Sequence, residues 1–362
     1  MAAAAGVTRL DAPGRLAGID LARGLAIVGM LAAHLLDERV AEAAPWTGIV
    51  DGRSSILFAT LAGVSVGIVT GGRTPLTGER MRSARARLAL RAGMLYLIGL
   101  ALIATGVPVF VILPAYALLF LLSLPFTRLS ARTLFLVAAG CAVTMPFVQA
   151  ALDMLPWWGT PVGGDVSLLL GWHYPFPVWI AFVLAGMGLA RTDLRDAMVQ
   201  LRLVVAGAAL TLTGYGLAAV SGTREHEEGA SVWAATWTAR PHSSGILEVI
   251  GSGGFAIAVI GVCLLLCRTP LRWLVLPLRA AGAMPLTAYV AQLVVWVIWA
   301  IAALGRTQDL AAFRALEPFW PITIGILLGC TAWALLIGRG PLEWLVGVVA
   351  GRAVPDRAVV PR

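Results

Sequence analysis

The sequence contains no lysine, only four histidines and four cysteines, and few charged residues of any kind. Charged residues make up 13% of the 362 positions, whereas hydrophobic residues make up 59% and the mean hydropathy is +0.87. So little charge on so apolar a chain excludes an ordinary soluble domain. The composition therefore indicates a polytopic membrane protein that lies in a lipid bilayer.

The formal net charge of +8 comes from 27 arginines, and these arginines stand in short runs between apolar segments. Cations placed in this way set membrane topology, and no basic stretch interleaved with aromatics suggests a nucleic-acid partner. The cysteines all fall inside apolar segments, which argues against a disulfide framework. No H-E-x-x-H pair, P-loop, dinucleotide-binding glycine pattern or G-x-S-x-G elbow occurs, so we expect no metal.

Apolar segments of spanning length follow one another along almost the whole chain, separated by breaks rich in Gly, Pro and charge. About 17–25 apolar residues cross a bilayer as a helix. We predict an all-α bundle of about ten transmembrane helices. The ten segments are 17–37, 53–71, 88–106, 109–127, 133–152, 174–190, 203–221, 245–267, 283–304 and 318–338.

The arginines alternate between the two sets of connections. One set, which includes both termini, holds 21 of them, and the other set holds six. The positive-inside rule places the arginine-rich set and both termini in the cytoplasm. Because no removable signal peptide is visible, we expect the first span to direct insertion. We predict a multi-pass protein of the plasma (inner) membrane, with a single domain over 1–352 and a cytoplasmic tail over 353–362. The oligomeric state stays open, a homo-oligomer included.

The first span carries more ionisable groups than a membrane helix tolerates without a reason. Asp20, Arg23, Ile27, Met30 and His34 fall along one helical stripe. Each ionisable residue near the centre of a span costs about 2.5–3.5 kcal/mol on insertion scales, which makes it a functional candidate. Arg23 and His34 are eleven residues apart, about 16–17 Å along a helix. The stripe therefore predicts a cation towards one membrane face and an imidazole towards the other.

The predicted topology brings the four histidines to the outer side. His34 ends the first span, and His173 and His242 precede the sixth and eighth spans, so that these three could share an outer vestibule. For His173 and His242 a structural role is an even alternative to a catalytic one. His226, within Arg-Glu-His-Glu-Glu, is interpreted as solvated.

Two further positions are candidates on the same side. Asp51 and Arg53 open the second span, where Asp51 either caps the helix or orients His34, and Arg53 meets a negative group. Glu248 is a carboxylate near the start of the eighth span and needs a partner there. Glycines 251, 253 and 254 are interpreted as a close helix-packing site.

The pattern from Arg15 through Asp20, Arg23 and Gly24 to His34 resembles the first span of integral-membrane acyltransferases. These include the acyltransferase-three superfamily and heparan-alpha-glucosaminide N-acetyltransferase, which has asparagine where His34 stands. The rest of the chain is similar to the YeiB-like bacterial membrane proteins. The segments that carry this resemblance are LFATLAGVSVGI (57–68), WHYPFPVWIAFVLAGMGLAR (172–191), PHSSGILEVIGSGGFAIAV (241–259), AAGAMPLTAYVAQ (280–292) and GPLEWL (340–345).

The resemblance implies acyl transfer across the membrane, from cytoplasmic acyl-CoA, in the first place acetyl-CoA, to an envelope glycan or lipid outside. It makes His34 the general base or acyl relay, and it makes Arg23 either a contact of the donor or a residue that holds the first span in register. We add His173, His242 and Asp51 as catalytic candidates. Arg53, Glu248 and Tyr174 are candidates for substrate binding, and Asp20 and Arg15 for structural support. The related lysosomal enzyme has a loop histidine where this chain has Ala43.

Two other functions are compatible with the same residues. A transporter or permease for a small anionic solute could use the arginines and histidines as a binding and proton-relay site. No matched pair of broken helices and no internal repeat supports it. A non-catalytic scaffold would explain Asp20 and Arg23 as a pair that stabilises the first span. It leaves His34 unexplained.

Overall fold

The computed structural model describes residues 10–12, 14–36, 47–222 and 232–355, and within these ranges every regular element is a helix. Here we number the helices of eight or more residues α1 to α13. Their bounds are α1 Ala17–Leu35, α2 Arg53–Val69, α3 Gly78–Ile103, α4 Leu113–Ser123, α5 Ala131–Asp153, α6 Pro161–Leu170, α7 Phe176–Ala190, α8 Ala197–Val220, α9 Ile246–Leu266, α10 Leu276–Ala283, α11 Pro285–Leu304, α12 Phe319–Leu336 and α13 Pro341–Ala353. Shorter turns of helix occur at Thr47–Val50, Leu124–Arg128, Pro156–Gly159, Val232–Thr236, Pro270–Arg272 and Leu310–Arg314.

The all-helical bundle predicted from the sequence is confirmed, and each of the ten predicted segments contains a helix. Over the described residues, eight helices are long and apolar enough to cross a membrane. The two remaining predicted spans correspond to α4, with 11 residues, and α7, with 15. Helix α7 is shorter than a bilayer requires, but nearly all of its side chains are buried by other helices. The cytoplasmic location of the termini stays a prediction.

Two connections that the sequence predicts as loops are largely helical. The connection 268–279 contains the start of α10, whose residues Arg279, Ala280, Ala281 and Gly282 are buried. The long connection 153–173 contains α6 and a turn of helix at Pro156–Gly159. Both segments have proline at the first turn, where its missing N–H costs nothing. The interpretation as loops was wrong because these helices are too short to give a spanning signal.

Glycines set how closely the central helices approach. A Cβ at Gly24 of α1 would collide with the backbone of Leu278 in α10, and one at Gly282 would collide with Asp20. The interface of α8 with α9 is built in the same way, with Gly214 against the backbone of Gly251. Small residues allow such contacts between membrane helices. The predicted packing role of the glycines near 251 is confirmed.

Helix α1 lies in the interior of the bundle, where it is packed against α2, α9, α10, α11 and α12. Its most apolar stretch is 72% buried, against 22% for α3 at the periphery. A helix so enclosed presents its polar residues to other protein groups and to cavities rather than to lipid. The central position of α1 thereby places Asp20, Arg23 and His34 inside the protein.

Candidate functional site

A cavity adjoins each end of helix α1. The cavity beside Arg23 has a volume of about 790 Å³, and the cavity beside His34 has a volume of about 230 Å³. Among the described residues, none lines both. The arginine cavity is defined here by its polar lining of Arg15, Asp20, Arg23, Arg91, Arg339 and Glu343. The histidine cavity is defined by His34, Asp51, His173, Tyr174, His242 and Arg314.

Beside α1, the arginine cavity is lined by a hydrogen-bond network centred on the buried carboxylate of Asp20. Asp20 accepts hydrogen bonds from Arg15 Nε at 2.5 Å and from Arg23 Nη1 at 3.2 Å. Arg23 Nη2 also donates to Ser65 Oγ of α2 at 2.7 Å. Only 5% of the Asp20 side chain is exposed, whereas Arg23 and Arg15 keep 18% and 33%. The carboxylate thus fixes two guanidinium groups that both face the cavity.

A second group of charged residues in the arginine cavity consists of two arginines and a glutamate. Arg91 of α3 is half-buried, and Arg339 is exposed. Glu343 of α13 accepts hydrogen bonds from the N–H groups of Leu286 and Thr287 at 2.7 and 3.1 Å, which caps the start of α11. The mouth is therefore cationic, and its carboxylate is committed to a helix end.

The remaining wall of the arginine cavity is apolar. The N-terminal residues Leu10 and Gly14 form part of it, and this segment is tied down by an ion pair from Arg279 Nη2 to Asp11 Oδ1 at 2.5 Å. The other apolar lining residues come mainly from α2, α3, α4 and α11. They include Phe58, Leu61, Ala62, Leu95, Leu113, Tyr116, Phe120 and Tyr289.

The histidine cavity brings together three of the four histidines. The rings of His173 and His242 have centroids 5.2 Å apart, and His173 stacks on Phe110 at 3.9 Å. His34 is deeper, and its buried Nδ1 has no hydrogen-bond partner among the described residues. Arg314 Nε donates to the backbone oxygen of His34 at 2.8 Å, which holds the end of α1. A buried ring nitrogen without a partner is uncommon and suits a ligand or a proton transfer.

His242 is positioned from both sides by carboxylates. Its Nε2 lies 3.3 Å from Asp51 Oδ1. The backbone N–H groups of His242 and Ser244 donate to the two oxygens of Glu248 at 2.7 and 2.6 Å. Both residues have positive φ, 63° and 55°, a backbone conformation that is uncommon for residues other than glycine. Glu248 thus stabilises an unfavourable loop conformation that presents the imidazole to Asp51.

The two histidines outside the membrane-spanning helices differ in pKa. The hydrogen bond with Asp51 raises the pKa of His242 above its ordinary value, and burial opposes that rise. Partial desolvation of the His173 ring, which stacks on Phe110, together with the nearby charge of His242, lowers the pKa of His173 to about 4. The protonated form is therefore favoured at His242 and the neutral form at His173.

The expected function of Asp51 needs a correction. The sequence interpretation made it a helix cap or a partner of His34, but α2 begins after Gly52 without a side-chain cap. The Asp51 carboxylate pairs with His242, which is 191 residues away in the chain. A turn with φ of 66° at Gly52 directs the preceding residue away from the helix end.

Three predicted substrate-binding residues are committed to other protein groups. Arg53 donates from Nε to Tyr215 Oη at 2.8 Å and stacks over the same ring at 4.5 Å. Tyr174 lines the histidine cavity, but its hydroxyl donates to the carbonyl of Phe110 at 3.0 Å. Neither Arg53 nor Glu248 lines either cavity. His226 and Ala43 lie outside the described residues.

Sequence reasoning missed several residues that line the cavities. Arg91, Arg339 and Glu343 bring charge to the arginine cavity, and Arg314 brings it to the histidine cavity. A usable signal existed only for Arg339 and Glu343, which lie in or beside the segment GPLEWL. In the described part of the chain, no group of three or more His, Cys, Asp or Glu side chains could hold a metal ion.

The two cavities are suited to different chemistry. Arginines fixed by a carboxylate bind phosphate groups bidentately, and the apolar wall beside them accepts an uncharged chain. Imidazoles with pKa values at or below neutrality accept protons from hydroxyl or amine groups. The geometry therefore supports binding of a polyanion with an apolar arm at one end of α1 and proton transfer at the other.

Two family models match the chain. Residues 15–217, more than half of the sequence, match the family described as heparan-alpha-glucosaminide N-acetyltransferase, catalytic. Residues 200–351 match a family described as protein of unknown function (DUF418). Each cavity takes residues from both matched regions. None of the curated proteins matches the chain. The family resemblance expected from the sequence is confirmed.

Proposed function

The chain belongs to the heparan-alpha-glucosaminide N-acetyltransferase catalytic family, which indicates a membrane acetyltransferase, and we propose that it uses cytoplasmic acetyl-CoA to modify an acceptor outside. The observation that carries this proposal is the pair of cavities at the two ends of α1. One is cationic with an apolar wall, and the other is lined by imidazoles. A transfer across the membrane needs one site for each substrate.

The arginine cavity is the proposed donor site. Arg15 and Arg23, which are held by Asp20, together with Arg91 and Arg339 would contact the phosphates of coenzyme A. Guanidinium groups bind phosphates through paired hydrogen bonds, and a desolvated pair of this kind is strong. The pantetheine arm, which is uncharged, would follow the apolar wall towards His34. The distance of about 16–17 Å along α1 sets the length it must span.

The histidine cavity is the proposed acceptor site. A hydroxyl or amine of an envelope glycan or lipid attacks the thioester carbonyl carbon, and the new C–O or C–N bond forms as the C–S bond breaks. The proton of the acceptor passes to His34 and then to the departing thiolate. The products are the acylated acceptor and free coenzyme A. His34 is the proposed base because it is the deepest imidazole and its Nδ1 has no partner among the described residues.

The other predicted residues receive supporting functions in this proposal. His242, whose protonated form is favoured by Asp51, orients the acceptor at the mouth, and His173 is a second proton acceptor. Glu248 holds the loop of His242 rather than a substrate. Arg53 joins α2 to α8 through Tyr215. Asp20 and Arg15 keep Arg23 in place.

The direction of transfer rests on the distribution of arginines. The positive-inside rule puts the mouth of the arginine cavity in the cytoplasm, where acetyl-CoA is available, and the histidine cavity outside. We propose that the protein lies in the plasma membrane in this orientation, as a single domain over 1–352 with a short cytoplasmic tail.

An anion permease is a weaker explanation of the same residues. A permease presents one binding site alternately to the two sides of the membrane. Here the fixed cations and the imidazoles are divided between two cavities with separate linings. That division suits two substrates that react better than one solute that moves.

The test is transfer of label from acetyl-CoA by purified protein in vesicles, with glucosamine and isolated envelope glycans as acceptors. We expect labelled acceptor and stoichiometric free thiol, both lost in His34→Ala. Calorimetric titration with acetyl-CoA should show binding that survives in His34→Ala and weakens in Arg23→Ala. Uptake of an unmodified anion without any thiol release would overturn the proposal in favour of the permease.

A further inference from the structure

The two cavities approach each other more closely than the length of α1 suggests. On α2, Ser55 lines the histidine cavity and Phe58 lines the arginine cavity. Three residues of helix correspond to about 4.5 Å. At the start of α4 the lining changes over the same number of residues, with Phe110 on the histidine cavity and Leu113, the first residue of α4, on the arginine cavity. The wall between the cavities is therefore only about one helical turn thick.

The side chain of Tyr116 closes this wall. It lines the arginine cavity, and its hydroxyl donates to the backbone oxygen of Ser55 at 3.1 Å. Its ring packs edge-on against Phe58, with centroids 5.5 Å apart. The residue is 3% exposed. One side chain thus reaches from the arginine cavity to a residue of the histidine cavity.

Two other tyrosines fix the backbone of the same wall. Tyr174 Oη donates to the carbonyl of Phe110 at 3.0 Å, and the N–H of Ile112 donates to Tyr289 Oη at 3.2 Å. Residues 107–112 precede α4 and are not part of its helix. Backbone that is not helical needs such partners inside a membrane protein, because lipid offers none. We call Ser55, residues 110–113 and Tyr116 the septum.

We infer that the acyl group crosses from the arginine cavity to the histidine cavity through the septum, at Tyr116. The Tyr116 side chain closes this path until the acceptor is bound, and it thereby favours transfer of the acyl group over its hydrolysis. This inference rests on the proposed function. An acyl group held at the wall on the donor side meets the acceptor only when Tyr116 turns aside. While Tyr116 is in place, water in the histidine cavity is kept from the thioester. Exclusion of water is what prevents hydrolysis of a reactive acyl donor.

The activity test uses purified protein with acetyl-CoA and no acceptor, and measures free thiol and acetate. In the side reaction water attacks the thioester carbon, the C–S bond breaks, and acetate and coenzyme A leave. Tyr116→Ala should raise this hydrolysis several-fold and, when an acceptor is present, lower the ratio of transfer to hydrolysis by a similar factor, because water is no longer kept from the thioester. Tyr116→Phe keeps the ring and loses only the bond to Ser55, so its hydrolysis should rise less.

Phe182→Ala is the matched control. It removes a buried aromatic ring from α7 that lines neither cavity. Its hydrolysis should equal that of the parent protein. Monodisperse elution and an unchanged circular-dichroism melt establish that each variant is folded. Folded Tyr116→Ala that still transfers and hydrolyses no faster than Phe182→Ala would overturn the inference.

A second measurement does not depend on acyl transfer. Both cavities are open at their mouths, where Arg339 and Asp51 are exposed, so removal of the seal should join them into one path. Vesicles containing Tyr116→Ala and a pH-sensitive dye should leak protons faster than vesicles with the parent or Phe182→Ala. If Tyr116→Ala leaks protons but the parent protein transfers no acyl group, Tyr116 is a seal between the cavities and the proposed function is wrong. If vesicles with Tyr116→Ala do not leak and its hydrolysis is unchanged, Tyr116 is not a seal and the inference is wrong.

Discussion

The arginine cavity and the histidine cavity are built at two ends of one helix, yet they satisfy their polar groups in opposite ways. In the arginine cavity, Asp20 accepts hydrogen bonds from two guanidinium groups and Arg23 adds Ser65. In the histidine cavity, the buried Nδ1 of His34 is left without a partner among the described residues. The first arrangement holds its charges still, and the second keeps an unused proton acceptor.

This difference separates binding from chemistry. Fixed charges pay little reorganisation when a polyanion arrives, and so they are suited to hold a substrate that is always charged. A base must have a free nitrogen and a pKa near or below neutrality to accept a proton. If the arginine cavity binds the donor and the histidine cavity carries the chemistry, substitutions in the first should change mainly KM for acetyl-CoA. Substitutions in the second should change mainly kcat.

The largest effect is expected from His34. His34→Ala should lower kcat for acyl transfer by about 10²–10⁴-fold, the range for loss of a general base. KM for acetyl-CoA should change little, because the arginine cavity is intact. Initial rates over a range of donor concentrations measure both parameters. His34→Gln, which keeps polarity and bulk but is no base, should be equally slow, and a fully active Gln variant would contradict the proposed base.

A smaller effect is expected from Arg23. Removing one charge-assisted pair of hydrogen bonds costs about 1.5–3 kcal/mol, and about 1.4 kcal/mol corresponds to a tenfold change in affinity. Arg23→Ala should therefore raise KM for acetyl-CoA by about 10–100-fold with a smaller change in kcat. Arg73→Ala is the control, because Arg73 forms an exposed pair with Asp193 and does not line the cavity. Equal KM values for the two variants would show that Arg23 is not a donor contact.

The pH dependence should change without a large loss of rate when Asp51 is altered. The hydrogen bond with Asp51 raises the pKa of His242, so His242 loses its proton, and with it the ion pair, as pH rises through that raised value. In Asp51→Asn the pKa of His242 should fall, and the alkaline limb of the kcat/KM profile should move to lower pH. Asp165→Asn, an exposed carboxylate on α6, is the control. An unmoved alkaline limb would contradict the proposed function of His242.

The sequence allowed the two-ended arrangement to be predicted because spacing along one helix is fixed. Asp20, Arg23 and His34 share a stripe of α1, and their separation follows from the helical rise alone. The predicted spans also contain helices, since apolar length is a local property. The septum could not be predicted in this way. Tyr116 and Ser55 are 61 residues apart in the chain, and their contact depends on how α2 and α4 pack.

The partners of the predicted residues were the least predictable feature. Asp51 contacts His242, and Glu248 accepts hydrogen bonds from the backbone of the loop that precedes its own helix. Both carboxylates are therefore paired with protein groups. Helix α10 was missed altogether, although Gly24 and Gly282 let it pack directly on α1. Short helices and side-chain partners depend on tertiary packing, which local periodicity does not record.

The smallest effect on acyl transfer is expected from the pair of Arg53 and Tyr215, because Arg53 does not line the histidine cavity. Tyr215 accepts a hydrogen bond from Arg53 Nε at 2.8 Å and is bonded to the buried Ser252 at 2.6 Å. Tyr215→Phe should cost about 1–3 kcal/mol of stability, because it leaves a buried hydroxyl without its partner. Thermal unfolding in detergent measures this loss, with Tyr96→Phe on α3 as control. Transfer rates below the unfolding temperature should equal those of the parent protein. A raised KM for either substrate would mean that Arg53 acts on the substrate, and the two cavities would then no longer account for all of the binding.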